Sequence, residues 1–325
     1  MHVIETKNLT KKYKDLTAVD SISLEVEEGE IFGLLGPNGA GKTTILMMLT
    51  TLRPPTSGSA TINGFDIVKQ PDQVRKSIGI VFQDPSSDDI LTGYENLKLH
   101  GMLYGMPDDL REKRIEEVLK LVDLTERKND LVKKYSGGMR RRLELARGLM
   151  HHPKILFLDE PTLGLDPQSR EHIWQYIEKM AKEEKITIII TTHYMDEADR
   201  LCDRLAIIDN GKIVVLDTPE NLKKIIGGDV IRLKGLKGND INIDALKSLK
   251  FVLKIKKSDG EVSLTVKDAG KNLQEILKVA GIVDSAEVHS PTLDDVFLHY
   301  TGKAIRDDSP EGGWAERMMH VRAGH

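Results

Sequence analysis

Apolar positions along this chain fall into two kinds of run. Residues 31–35 and 155–158 are short and continuously apolar, and 186–190 is rich in β-branched residues, as expected of strands buried inside a parallel sheet. Residues 78–82 form another run of this kind. Ile22-Ser23-Leu24-Glu25-Val26 alternates at period two instead, which predicts one half-buried strand. The second kind repeats at helical spacing, at 43–52 (stopped by Pro54-Pro55), 93–104, 111–122 and around 172–181. Arg204–Asp209 and Lys212–Asp217 flank Asn210-Gly211, a pair that readily adopts the two positive φ angles of a tight hairpin.

This pattern predicts an α/β core interrupted by a helical subdomain at about 84–150, the whole ending near 226. A second unit follows Gly227-Gly228. Strands at 230–234, 251–256, 261–266 and 286–289, with helices at 244–249 and 273–280, give the order βαββαβ of a small ferredoxin-like domain over 227–303. Thr292 can cap a further amphipathic helix. Residues 304–325 are polar and mixed, and read as a mobile tail.

Composition narrows the function classes. A chain of 325 residues suggests two domains. Its net charge of −4, from 47 basic and 51 acidic residues, argues against a general nucleic-acid binder. No apolar run approaches the ~18 residues that cross a bilayer, and Met1-His2-Val3-Ile4-Glu5 lacks the blocks of a secretory signal. Cys202 stands alone, which excludes an internal disulfide and a Cys-rich zinc cluster. These features predict a cytoplasmic protein.

Candidate chemistry begins where the strand 31–35 ends. Gly36-Pro37-Asn38-Gly39-Ala40-Gly41-Lys42-Thr43 fits the phosphate-loop pattern, between a strand and a helix as that pattern requires. Its glycines let successive N–H groups converge on one anion, and the helix presents its positive end there. Lys42 would reach the β- and γ-phosphates, and Thr43, followed by Thr44, would offer a hydroxyl to Mg²⁺. The run 155–158 then delivers Asp159 and Glu160 to the carboxyl edge of the sheet, where doubly wound folds bind ligands. Asp159 would hold Mg²⁺ through water, and Glu160 would orient and deprotonate the attacking water. The competing reading of Asp159-Glu160-Pro161 is a helix cap before Thr162. Lys42 is expected at the surface of the cleft.

Together these residues resemble the ATPase subunit of ATP-binding-cassette (ABC) transporters, over residues 3 to about 226. Tyr135-Ser136-Gly137-Gly138-Met139 is similar to that family's LSGGQ signature, departing from it at Tyr135 and Met139. Leu163-Gly164-Leu165-Asp166 resembles its D-loop, His193 its switch histidine, Gln83 its Q-loop glutamine and Tyr13 its adenine-stacking aromatic. The resemblance implies a P-loop NTPase core with an antiparallel β part, ATP and Mg²⁺ as cofactors, and Gln83 beside Thr43 and Asp159 at the metal. It also implies a head-to-tail dimer in which Ser136, Gly137 and Gly138 reach the ATP of a second ATPase subunit. Arg140-Arg141-Arg142 reads as a partly solvated face of the signature helix. The stretches 84–97 and 290–302 resemble exporters of the daunorubicin-resistance type. The expected function is an ATPase on the cytoplasmic face of the membrane, driving a separate permease, with no nucleic acid as partner. The alternatives are a non-transport ABC ATPase acting on nucleic acid or the ribosome, and a non-enzymatic ATP-binding regulator.

Overall fold

The computed structural model describes residues 2–235, 241–258 and 261–302. The chain divides into two compact units, with the break between Val215 and Leu216. In the first, a six-stranded sheet has the order Lys212–Asp217, Arg204–Asp209, Ile31–Leu35, Thr187–Thr192, Ile155–Asp159, Ile78–Val81. The last five of these run parallel to their neighbours. Every residue of the three central strands is buried, so none shows the alternation of a solvent-facing strand. Asn210 and Gly211 turn the hairpin with φ of 47° and 77°.

The antiparallel part centres on His2–Tyr13, which pairs with Leu16–Ile22, Glu25–Glu27 and Ser57–Ile62. The alternating run 22–26 is therefore two strand ends and not one strand. Thr6 of the central strand fills the break: its hydroxyl donates to the carbonyl of Ile22 (3.1 Å) and accepts from the amide of Leu24 (2.9 Å). A side chain takes the place of the ladder there, and the buried backbone groups stay satisfied.

The helix expected at 43–52 spans Lys42–Leu49, ending well before the prolines. Thr50 stops it, with its hydroxyl folded back on the carbonyl of Leu46 (2.8 Å). Gly93–Leu103, Asp108–Leu121 and Gly137–Leu149 form the helical insert. Thr92 and Glu95 close a capping box on the first of these helices. The helix expected around 172–181 extends over Pro167–Glu184, because Asp166 caps it by accepting from the amide of Ser169 (3.0 Å) and Pro167 suits its first turn.

The second unit has a sheet in the order Val252–Ser258, Glu261–Val266, Asp229–Gly235, Val283–His289, with antiparallel neighbours. Helices Ile243–Lys247 and Ala269–Ala280 intervene in sequence, giving the split βαβ order of a ferredoxin-like sheet. Ile231, Leu233, Leu246, Leu264, Val266 and Ile276 form its core. Thr292 caps the helix Leu293–Thr301 through a capping box with Asp295. The expected tail at 304–325 lies outside the described residues.

Candidate nucleotide site

The phosphate loop is shaped by close backbone approach. A Cβ on Gly36 would lie 2.2 Å from the carbonyl oxygen of Ile208. On Gly41, whose φ is +107°, it would lie 2.5 Å from that of Ala18. Both positions therefore require glycine. Beside the loop lies a cleft of about 390 Å³ lined by Tyr13, Asn38, Gly39, Gly41, Lys42, Thr43, Thr44, Gln83 and Glu160, all expected from the sequence. Gly36, Pro37 and Ala40 complete the loop through their backbone. Gly36 and Pro37 accept from Lys42 Nζ at 2.7 and 3.0 Å, and Ala40 accepts from the amide of Gly211 at 2.9 Å.

Lys42 is not at a surface, contrary to expectation; it is only 4% exposed. The loop curls over its ammonium, and Glu160 Oε1 lies 3.5 Å away. Burial pulls the ammonium below the ordinary lysine value, against the charges of Glu160 and Asp159.

The two carboxylates are pushed in opposite directions. Burial raises Asp159, even though the hydroxyls of Thr191 and Thr43 donate to it, the latter at 3.2 Å. Burial also pushes Glu160 up, but the adjacent His193 and the Lys42 ammonium outweigh it and hold Glu160 below the usual carboxylate value. Glu160 is thus ionised at neutral pH. His193 Nδ1 lies 3.3 Å from Glu160 Oε1 without the alignment of a hydrogen bond. Thr43, Asp159 and Gln83 supply hard oxygen donors of the type Mg²⁺ takes. Among the described residues no group of three or more His, Cys, Asp or Glu could hold a metal by itself.

Glu160 has φ of 46°, a left-handed conformation that costs a non-glycine residue about 1–2 kcal/mol. Its amide donates to the carbonyl of Thr191 at 3.1 Å. Arg141 secures the next stretch of backbone. Far from forming a solvated face, Arg141 is 6% exposed and donates to the carbonyls of Phe82, Asp159, Glu160 and Pro161. The expected partly solvated face is corrected at Arg141 alone: Arg140 and Arg142 are half-buried, as expected, and Arg141 is internal. Burial lowers the Arg141 guanidinium to about 10, so it stays charged at neutral pH. Glu144, one turn further on, is also buried and accepts from Ser86 Oγ (2.9 Å) and the Ser87 amide (2.8 Å).

Ser136, Gly137 and Gly138 do not line this cleft. Ser136 caps its own helix by accepting from the amide of Met139 (3.2 Å). Leu163, from the D-loop-like segment, lines the cleft too, and Leu16–Ala18 and Asn210-Gly211 line it without having been candidates. Asn210-Gly211 carried a turn signal, though nothing in its spacing says what the turn touches.

The sequence profile described as ABC transporter matches residues 19–163, and that of the DrrA1-3-like C-terminal domain of ATP-binding proteins matches 218–301. The linearmycin resistance ATP-binding protein LnrL of Bacillus subtilis is 39% identical, with 94% of this chain and 100% of that protein aligned. This chain belongs to the ABC transporter ATPase family. The daunorubicin/doxorubicin resistance ATP-binding protein DrrA of Streptomyces peucetius is 38% identical, over 97% of both chains. Among solved structures, a dimeric ATP-binding cassette in a post-hydrolysis state, bound to ADP and phosphate, superimposes with a TM-score of 0.60 at 30% identity. That match covers 66% of this chain and 98% of the other. The ABC family assignment makes this chain an ATP-binding, ATP-hydrolysing subunit of a transporter. Among the described residues no helix is long and apolar enough to cross a membrane.

Proposed function

We propose that this ATPase drives export of a drug-like or lipid-like substrate through a separate permease, from the cytoplasmic face of the membrane. The relatives aligned along nearly the whole chain are named for drug resistance, which supports export. Those names give no support to the alternative of an ATPase acting on nucleic acid or the ribosome. Glu160 is the general base: it lines the cleft, stays ionised, and lies 3.5 Å from the lysine of the phosphate loop. That pairing is the observation on which the reading rests.

In this reading Tyr13 stacks on the base and the amides of residues 36–44 surround the phosphates. Lys42 offsets the charge that develops on them. Glu160 orients a water and takes its proton, with the His193 ring beside its carboxylate. Thr43, Asp159 and Gln83 would hold Mg²⁺, which supplies charge neutralisation at the phosphates. Ser136, Gly137 and Gly138 form a second anion-binding helix end outside the cleft, so they serve the nucleotide of a second copy in a head-to-tail dimer.

Glu160→Gln preserves the shape and removes the base. ATP binding should persist while turnover falls by roughly a hundredfold or more, equivalent to at least ~2.7 kcal/mol of transition-state stabilisation. Steady-state hydrolysis with a parallel binding titration measures both quantities. Near-normal turnover would move the base role to another group, with His193 the next candidate.

A further inference from the structure

The chain must hold Glu160 in a conformation that glutamate disfavours. Its φ of 46° belongs to the left-handed region, where glycine would be unstrained but could carry no proton. Strain of this kind persists only where the surroundings over-determine it. Around Glu160, Thr191 holds the amide, accepting from it at 3.1 Å, and one guanidinium from another part of the chain holds the carbonyls. Arg141 Nη2 donates to the carbonyls of Asp159 (3.0 Å) and Glu160 (3.1 Å), and Nε donates to that of Pro161 (2.6 Å). Three successive carbonyls are thus gathered on one planar group, a geometry that lysine's single ammonium cannot reproduce. The remaining arm, Nη1, donates to the carbonyl of Phe82 (2.5 Å), directly before Gln83. Each of the hydrogen bonds given for Arg141 goes to a backbone carbonyl, and together they use most of its five N–H groups.

We propose that Arg141 is a positioning residue for hydrolysis: by clasping the carbonyls of residues 159–161 it fixes the left-handed turn that points the Glu160 carboxylate into the nucleotide cleft. It does so from the helix that Ser136 caps, so the anion-binding end of that helix and the base of its own subunit are joined through one guanidinium. Arg141 does not line the cleft, and it acts through the backbone that it holds. The proposal rests on the assignment of Glu160 as the base.

The test is a double-mutant cycle in the full-length chain, combining Arg141→Gln and Arg141→Lys with Glu160→Gln. Hydrolysis is measured by single-turnover and steady-state assays, binding with a fluorescent ATP analogue, and folding by thermal melts. Arg141→Gln should lower kcat by roughly ten- to a hundredfold while the affinity for the analogue stays within about threefold. Arg141→Lys should recover part of that loss, since it restores the charge. In the Glu160→Gln background, Arg141→Gln should change the residual rate by less than about twofold, because the group it positions is already disabled. The proposal is overturned by normal turnover in Arg141→Gln, by losses that multiply with those of Glu160→Gln, or by affinity falling in step with kcat. Variants that both fail to fold would assign Arg141 to stability and overturn it as well. If Glu160→Gln alone keeps its turnover, the base assignment falls first and takes this proposal with it.

Discussion

At single residues, the nucleotide site shows how burial and partnership divide the work between neighbouring groups. Asp159 and Glu160 are adjacent, yet one is raised by burial and the other is held down by His193 and Lys42. Lys42 illustrates the cost of the same enclosure. Desolvation is the largest influence on its ammonium, and the charges of Glu160 and Asp159 only partly offset it. Lys42→Met, which keeps the stem and removes the charge, should therefore weaken ATP binding at least tenfold and abolish hydrolysis. The nucleotide-free melting midpoint should stay within about 2 °C of the parent, a shift that corresponds to ~1 kcal/mol. A much larger fall would make Lys42 a structural element of the loop. Cys202 is a simpler case. It is buried against Gly33, and burial pushes its thiol well up, so it is unreactive.

Individual helices carry their own liabilities. On Gly93–Leu103, burial and the nearby charge of Arg147 pull His100 down to about 4. Its ring lies 5.0 Å from that of Tyr104, which in turn stacks on His151 at 3.8 Å, and burial lowers His151 as well. A histidine whose folded value lies below its unfolded one is protonated first in the unfolded chain. Stability is then complete above the unfolded value near 6.5 and falls as pH drops towards about 4. Urea unfolding at pH 7, 6 and 5 should show this loss, at no more than ~1.4 kcal/mol per pH unit from His100. His100→Gln should flatten the slope; an unchanged slope would place the acid sensitivity elsewhere. In the second unit, the helix Leu293–Thr301 depends on Thr292, whose hydroxyl donates to Asp295 Oδ2 at 2.8 Å. Asp295 also receives Arg232 at 2.9 Å. Thr292→Ala should cost about 1 kcal/mol in that unit, measured by denaturant, and leave nucleotide affinity unchanged.

For the whole molecule, the question is where the second helix end sits when ATP is bound. Ser136, Gly137 and Gly138 lie off the cleft of their own chain, and in the proposed dimer they close the site of a second copy. Cysteines placed at Asn38 and Ser136 in separate chains, in the Glu160→Gln background, should cross-link under mild oxidation with Mg-ATP and scarcely without nucleotide. The buried, unreactive Cys202 can stay in place during this experiment. A direct disulfide needs Cα atoms about 5.5–6 Å apart, so short thiol linkers of ~5–10 Å extend the search. If nucleotide binds and no linker gives an ATP-dependent dimer, hydrolysis must be explained within one subunit.

Contiguous spacing already revealed the phosphate loop, the acid pair behind a buried strand, the Asn-Gly hairpin and the alternation of strands and helices. Each is a local matter: which side chains share a face, where a backbone can take positive φ, which donors follow one another along a few residues. The readings that failed all depended on distant backbone. Arg141 was read as part of a partly solvated face because a charged residue between charged neighbours carries no mark of burial, yet its guanidinium reaches carbonyls 18 to 59 residues away. Arg114, within a charge-rich helical run, is likewise buried and donates to the carbonyl of Leu149. Thr6 splits a strand from across the sheet, and Gly211 supports the phosphate loop through Ala40. Unpaired carbonyls exist only once turns and strand ends have been brought together. Long flexible side chains find them there, and no periodicity along the chain records the meeting.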